Sequence, residues 1–167
     1  MKKLIILTGP GGAGKTTIAE LIEKKCNYIL LDGDNEDTEF FPNGGQWLPE
    51  NSDQLTKAHN KILQKTKRLI QDGNKVVIDY IIFGNYLEFF EKFQKEFGND
   101  LQITILFPKK SEIITRDKKR ECWTTGEDRI EAVYNEFEKI QNQIGKDKHI
   151  DTSSQTPEET FEKYFKD

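Results

Sequence analysis

The chain has 167 residues, 35% hydrophobic and 32% charged, with 29 acidic against 25 basic side chains and a formal net charge of −4. That length suits one domain, 1–167, with its own core, and no apolar run approaches the roughly 20 residues that cross a bilayer. The acidic balance gives no general attraction for nucleic acid, so neither nucleic acid nor a membrane is expected as a partner.

A β-rich run over 3–7 opens the chain, and its four apolar residues are too few for the hydrophobic region of a signal peptide. Directly behind it stands Gly9-Pro-Gly-Gly-Ala-Gly-Lys-Thr, a full match to G-x-x-x-x-G-K-[ST], and a helical face of Ile18, Leu21, Ile22 and Cys26 follows. Strand, loop and helix in that order make a phosphate-binding loop. Gly9, Gly11, Gly12 and Gly14 permit the dihedrals and close approaches by which successive N–H groups turn toward an anion, with Ala13 and Thr17 at the same junction. Lys15 is expected to reach the β- and γ-phosphates, and the Thr16 hydroxyl to ligate Mg²⁺, so ATP and Mg²⁺ are the expected cofactors.

A second strand over 28–31 runs into Asp32-Gly33-Asp34-Asn35. On an extended segment residues i and i+2 share a side, so both acids are expected to face one cleft at the C-terminal edge of the sheet. The third strand, 76–78 with a continuation to 83 left open, leads to Asp79, which reads as the carboxylate held near the metal. Leu87, Phe90, Phe93 and Phe97 then fall on one helical face, and a strand over 101–107 follows.

Three of the four arginines, Arg116, Arg120 and Arg129, cluster in a chain that otherwise uses 21 lysines. An arginine where lysine is the default marks a need for a planar, always-charged fork. Arg116 and Arg120 are one turn apart on a helix entered at Ser111, which Gly126 ends. A helical face of Ile130, Val133, Tyr134, Phe137, Ile140 and Ile144 precedes a short strand over 149–151. Thr156-Pro-Glu-Glu is a capping-box start for the last helix, with Phe161, Tyr164 and Phe165 facing inward. Strands alternating with helices predict an α/β class: three layers around a parallel five-stranded sheet. Cys26 and Cys122 stand far apart in unlike contexts, suggest no zinc site, and suit the cytoplasm.

With the loop and the Asp-Gly-Asp, most of the chain resembles the small P-loop kinases that include shikimate, gluconate and adenylylsulfate kinases and chloramphenicol phosphotransferase. The resemblance implies a P-loop NTPase fold with a small helical lid at about 112–128, and in-line transfer of the γ-phosphoryl group to a small acceptor. It also implies Asp32 in the metal shell, Asp34 at the acceptor hydroxyl, and Arg116 and Arg120 as lid residues, with Arg129 the weaker candidate. Ser153, Ser154 and Gln155 would lie beside the adenine. A monomer and a homodimer are both compatible with it.

The string Leu-Asp-Gly-Asp-Asn is closest to adenylylsulfate kinases, which usually continue with an arginine, whereas this chain continues Glu36, Asp37, Thr38, Glu39. Five carboxylates over 32–39 without an intervening cation would repel an anion, so a neutral or cationic acceptor is expected: a nucleoside, sugar or aminated compound. Phe40, Phe41, Trp47, Tyr80 and Phe83 are placed to wall its pocket or to fill the core. Two other readings use the same loop. A nucleoside triphosphatase or switch protein needs no acceptor pocket, and a polynucleotide-end kinase needs a basic channel.

Overall fold

A strand buried on both faces sends alternate side chains into two layers, and β1 (Leu4–Thr8) does so: Leu4 and Ile6 enter one core, Ile5 and Leu7 the other, all fully buried. A computed structural model describes residues 2–119 and 126–166 of the chain. Around β1 lie β2 (Tyr28–Asp32), β3 (Lys75–Asp79), β4 (Leu101–Leu106) and β5 (His149–Ile150), in the order β2-β3-β1-β4-β5, with every pairing parallel. The register sets Asp32 beside Asp79 and Leu7 beside Asp79, so two carboxylates meet at the C-terminal edge next to the loop that leaves β1.

Helix α1 (Lys15–Cys26) and helix α7 (Pro157–Tyr164) cover one face through Ile18, Ala19, Ile22, Phe161 and Phe165. The opposite face carries α3 (Ser52–Gln71), α4 (Tyr86–Phe97) and α6 (Glu127–Ile144), with Ile62, Phe89, Phe93, Phe137 and Ile144 inward. Two shorter helices, α2 (Gly33–Glu36) and α5 (Lys110–Lys118), follow β2 and β4 at the edge where the loop lies. The α7 start is the expected capping box, the Thr156 hydroxyl accepting from the Glu159 N–H while Glu159 accepts from the Thr156 N–H.

The helical stripes come out nearly as expected. Leu87 is instead 41% exposed, and Tyr86 and Phe89 take the buried positions beside Phe90 and Phe93. The third strand stops at Asp79, because Ile82 adopts a left-handed φ of 60° and Asn85 one of 51°. For a β-branched residue that is a strained backbone. Ile82 stays fully buried in the core, while Ile81 and Phe83 on either side line a cavity.

Candidate active site

The loop between β1 and α1 is built by glycine geometry. Gly9, Gly12 and Gly14 have φ of 137°, 84° and 95°, and any Cβ on Gly9 would collide with the Leu106 carbonyl of β4. The chain is thereby pressed against the sheet edge before α1 begins at Lys15. Lys15 is buried, and its ammonium donates to the Pro10 carbonyl at 3.2 Å. Thr16 donates its hydroxyl to Asp79 Oδ2 at 2.5 Å, which joins the loop helix to the end of β3.

The Asp-Gly-Asp segment differs from its expected extended form. Asp32 caps α2, its Oδ1 accepting from the Asn35 N–H at 3.1 Å, and the chain turns helical at once. Asp32 therefore stays exposed while Asp34 is carried inward, so the two acids are not equivalent neighbours on one side of a strand. Gly33 makes the turn possible, since a Cβ there would strike the ring of Tyr80.

Burial pushes the Asp34 carboxyl up to about 7; Lys15 pulls against this, and Asp79, Asp37 and Asp32 add to it. Asp79 is raised by burial too, with Lys15 and the Thr16 hydroxyl lowering it. Asp34 Oδ1 and Asp79 Oδ1 are both buried without a hydrogen-bond partner among the described residues. Two orphaned carboxylate oxygens beside a lysine are the acceptors a cation or a hydroxyl donor would satisfy.

Two cavities flank the loop. One, of about 350 Å³, is walled by Ala13, Thr17, Leu106, Arg116, Thr152 and Gln155. Of the three residues expected beside the adenine, Gln155 lines it and Ser153 and Ser154 do not. The Ser153 hydroxyl closes its own loop, accepting from the Lys109 N–H at 2.7 Å and donating to Asp151. Thr152, overlooked in the sequence, is buried there with its hydroxyl unpartnered among the described residues. Arg116 also lies on this side, bound to Glu112 at 2.9 Å and to the Thr152 carbonyl at 3.1 Å, so it lines this first cavity. Arg120 lies outside the described residues.

The second cavity, of about 370 Å³, runs from Lys15, Thr16 and Asp79 past Asp34 and Gln46 to Phe83 and Arg129. Arg129, the weaker arginine in the sequence, is thus the described one that shares a cavity with Asp34. Among the aromatic candidates for its wall, Phe83 lines it and Trp47 packs on Phe83 with ring centroids 6.0 Å apart. Tyr80 and Phe41 are core, and Phe40 packs against Phe41, Leu55 and Ala58.

The acidic run is also not the bare negative face that its sequence suggests. Lys61 of α3 pairs with Glu36 at 3.3 Å and Glu39 at 3.0 Å, and Lys65 also grips Glu36. Asp37 is fully buried, accepting from the Tyr80 hydroxyl at 3.1 Å and the Gln46 amide at 3.3 Å. Three of the five acids, Glu36, Asp37 and Glu39, thus have partners that the charge argument for a neutral or cationic acceptor did not count.

A protein of Pyrococcus abyssi named "Probable adenylyl-sulfate kinase" is 31% identical to this chain over 109 residues, which is 62% of this chain and 59% of that protein, so the chain spans less than two thirds of the relative. The solved tunicamycin resistance protein of Deinococcus radiodurans superposes with a TM-score of 0.68 at 15% identity, covering 98% of this chain and 93% of that one. Shikimate kinase from Acinetobacter baumannii, solved with shikimate, gives 0.65 at 18% identity over 96% and 89%. At such identities the two structures share the fold, an α/β architecture around a five-stranded parallel sheet. A family model described as an AAA domain matches residues 4–146, and the chain belongs to that family of P-loop proteins.

Proposed function

We propose that this protein transfers the γ-phosphoryl group of ATP, with Mg²⁺, to a hydroxyl of a small acceptor in the cytoplasm. The observation that supports the reading is the 370 Å³ cavity, which joins Lys15, Thr16 and Asp79 of the phosphate site to Asp34, Gln46, Phe83 and Arg129. A triphosphatase has to place only a water at the γ-phosphate. Here the space beyond the loop has a carboxylate, an amide, an aromatic ring and a guanidinium as walls, the make-up of a recognition pocket.

The loop and the N-terminus of α1 would hold the phosphates, and Lys15 would offset charge on the transferred group. Asp34 would orient the acceptor hydroxyl and take its proton as the acceptor oxygen bonds to phosphorus and the bond to the ADP oxygen breaks. The residues fit a divalent cation. Asp79 has one oxygen held by Thr16 and the other buried without a partner, and no three His, Cys, Asp or Glu converge among the described residues. A site of one hydroxyl, one or two carboxylates and substrate phosphates is what Mg²⁺ takes, with Asp32 the register neighbour of Asp79. Thr16 and Asp79 would hold the ion, which would supply positive charge to offset that of the phosphates. The relative named as an adenylyl-sulfate kinase agrees with a kinase reading.

The test is ADP release with Mg·ATP alone and then with panels of nucleosides, sugars, aminoglycosides and oligonucleotides. Stimulation by a small hydroxyl compound is expected. Turnover that no acceptor increases would overturn the reading in favour of a triphosphatase, and stimulation by oligonucleotide ends alone would favour the polynucleotide kinase.

A further inference from the structure

The cavity that holds Asp34 does not end at Arg129. A second hollow of about 280 Å³ continues past it, lined by Trp47, Phe83, Tyr86, Arg129, Val133 and Glu136, of which Phe83, Arg129 and Val133 belong to both spaces. The Arg129 guanidinium lies 4.5 Å above the Trp47 ring and 5.9 Å from that of Phe83. Stacking fixes the plane of the guanidinium and leaves its N–H edge free to meet a ligand.

Three cations of α5, the helix that packs on α6, are paired. Lys110 meets Glu131 at 3.0 Å, Lys118 meets Glu127 at 2.5 Å, and Arg116 meets Glu112 at 2.9 Å. No carboxylate among the described residues pairs with Arg129, in a chain with more acids than bases. Trp47 is 51% exposed, yet the loop presenting it is braced: Gly44 and Gly45 take φ of 76° and 94°, and the Asn51 amide donates to the Gly45 carbonyl at 3.0 Å. At the far rim stands Glu136, which accepts from the Tyr86 hydroxyl at 3.4 Å. From the phosphate site outward the lining therefore reads a carboxyl at Asp34, a cation at Arg129, apolar surface at Trp47 and Tyr86, and a carboxylate at Glu136.

Resting on the phosphotransfer reading above, we propose that the acceptor is an elongated, ring-bearing oxyanion. Its hydroxyl meets Asp34, its phosphate, sulfate or carboxylate group meets the stacked edge of Arg129, and its ring lies in the hollow against Trp47. Arg129 and Trp47 are then the specificity-determining residues of the acceptor site. A compact neutral sugar would leave the guanidinium without an anion and the second hollow unfilled.

Binding can be read from Trp47 in a Trp123→Phe background, with Mg·ADP saturating the phosphate site. The probes are nucleoside 5′-monophosphates and aromatic hydroxycarboxylates, each against its uncharged twin, the nucleoside or the aromatic alcohol. The anions should quench Trp47 at concentrations about 10- to 100-fold below their neutral twins, the range expected for a charge-assisted hydrogen bond. Arg129→Met should erase that preference and Arg129→Lys should keep part of it, with the Tm of each variant reporting that it folds. Equal binding of charged and neutral twins, or no quenching by any anion into the millimolar range, would overturn the proposal. ADP release separates it from the reading beneath it. Transfer to neutral acceptors alone sinks this proposal and leaves the kinase standing, whereas anion-selective binding at Trp47 with no transfer to any acceptor sinks the kinase and leaves Arg129 and Trp47 as an anion site only.

Discussion

The hydroxyl of Thr16 sits 2.5 Å from Asp79 Oδ2, tying the first turn of α1 to the last residue of β3. The contact holds the two groups proposed as metal ligands in place before any cation arrives. Such groups lose affinity sharply when one is changed.

Asp79→Asn keeps the shape and a hydrogen bond with Thr16 but removes the charge. Mg²⁺-dependent ADP binding, measured by calorimetry, should weaken about 10- to 100-fold. Metal-free binding should change far less. Equal loss with and without Mg²⁺ would show that Asp79 supports the loop and not the metal.

Asp34→Asn should lower acceptor-stimulated turnover about 10²- to 10⁴-fold, the usual contribution of a positioned base, with Mg·ADP affinity nearly unchanged. Stability should move the other way. A carboxyl held at about 7 instead of 3.8 binds its proton more tightly folded than unfolded, so the contribution is fully present below pH 3.8 and is lost as the pH rises through 7. Metal-free Asp34→Asn protein should therefore match or exceed the wild-type Tm at pH 8. A lower Tm at that pH would mark Asp34 as structural.

Gly33→Ala tests the packing that carries Asp34 inward. The new methyl would strike the Tyr80 ring, itself fully buried and bonded to Asp37, so it has no free side to yield toward. A loss of about 1–3 kcal/mol is expected from overpacking, read from urea midpoints. A neutral effect would mean that α2 shifts as a unit, and turnover would then report the displaced Asp34.

The loop, the five strands and the α7 cap were legible because each is written in adjacent residues. Gly9 to Thr16 is a contiguous pattern with a strand before and a helix behind, and Thr156 to Glu159 closes its own box. What the sequence hid depends on partners far along the chain. The acids over 32–39 look unpaired until α3 brings Lys61 and Lys65 to Glu36, 25 and 29 positions away. Helix α3 itself is easy to miss, since its inward face mixes Leu55 and Ile62 with His59 and Thr66 and so dilutes the apolar period. In α4 the opposite problem arises: Tyr86, Leu87, Phe89, Phe90, Phe93 and Phe97 leave several possible apolar faces, and only packing on the sheet selects the one that exposes Leu87. The Asp32 cap was readable, an Asp just before a helical turn, but the same two acids also fit an extended strand end. The stacking of Arg129 on Trp47 had no local sign, because Arg129 lies in α6 and Trp47 in the segment before α3.

His59 supplies the clearest pH dependence outside the site. Its ring is 3% exposed and packs edge-on against Phe89 and Tyr80, with centroids 4.8 Å and 5.7 Å away. Burial pushes it down to about 4, with Glu88 opposing that shift and Lys92 adding to it, so the folded protein keeps it neutral where the unfolded chain protonates it near 6.5. The contribution to stability is complete above pH 6.5 and is lost as the pH falls toward 4, because there the unfolded state binds the extra proton. Between pH 7 and pH 5 the wild type should lose about 2 kcal/mol through this group alone. His59→Phe retains an aromatic ring in the cluster and has no proton to bind, so its urea midpoint should fall less over the same interval. Parallel midpoints for the two proteins at both pH values would show that acid sensitivity arises elsewhere.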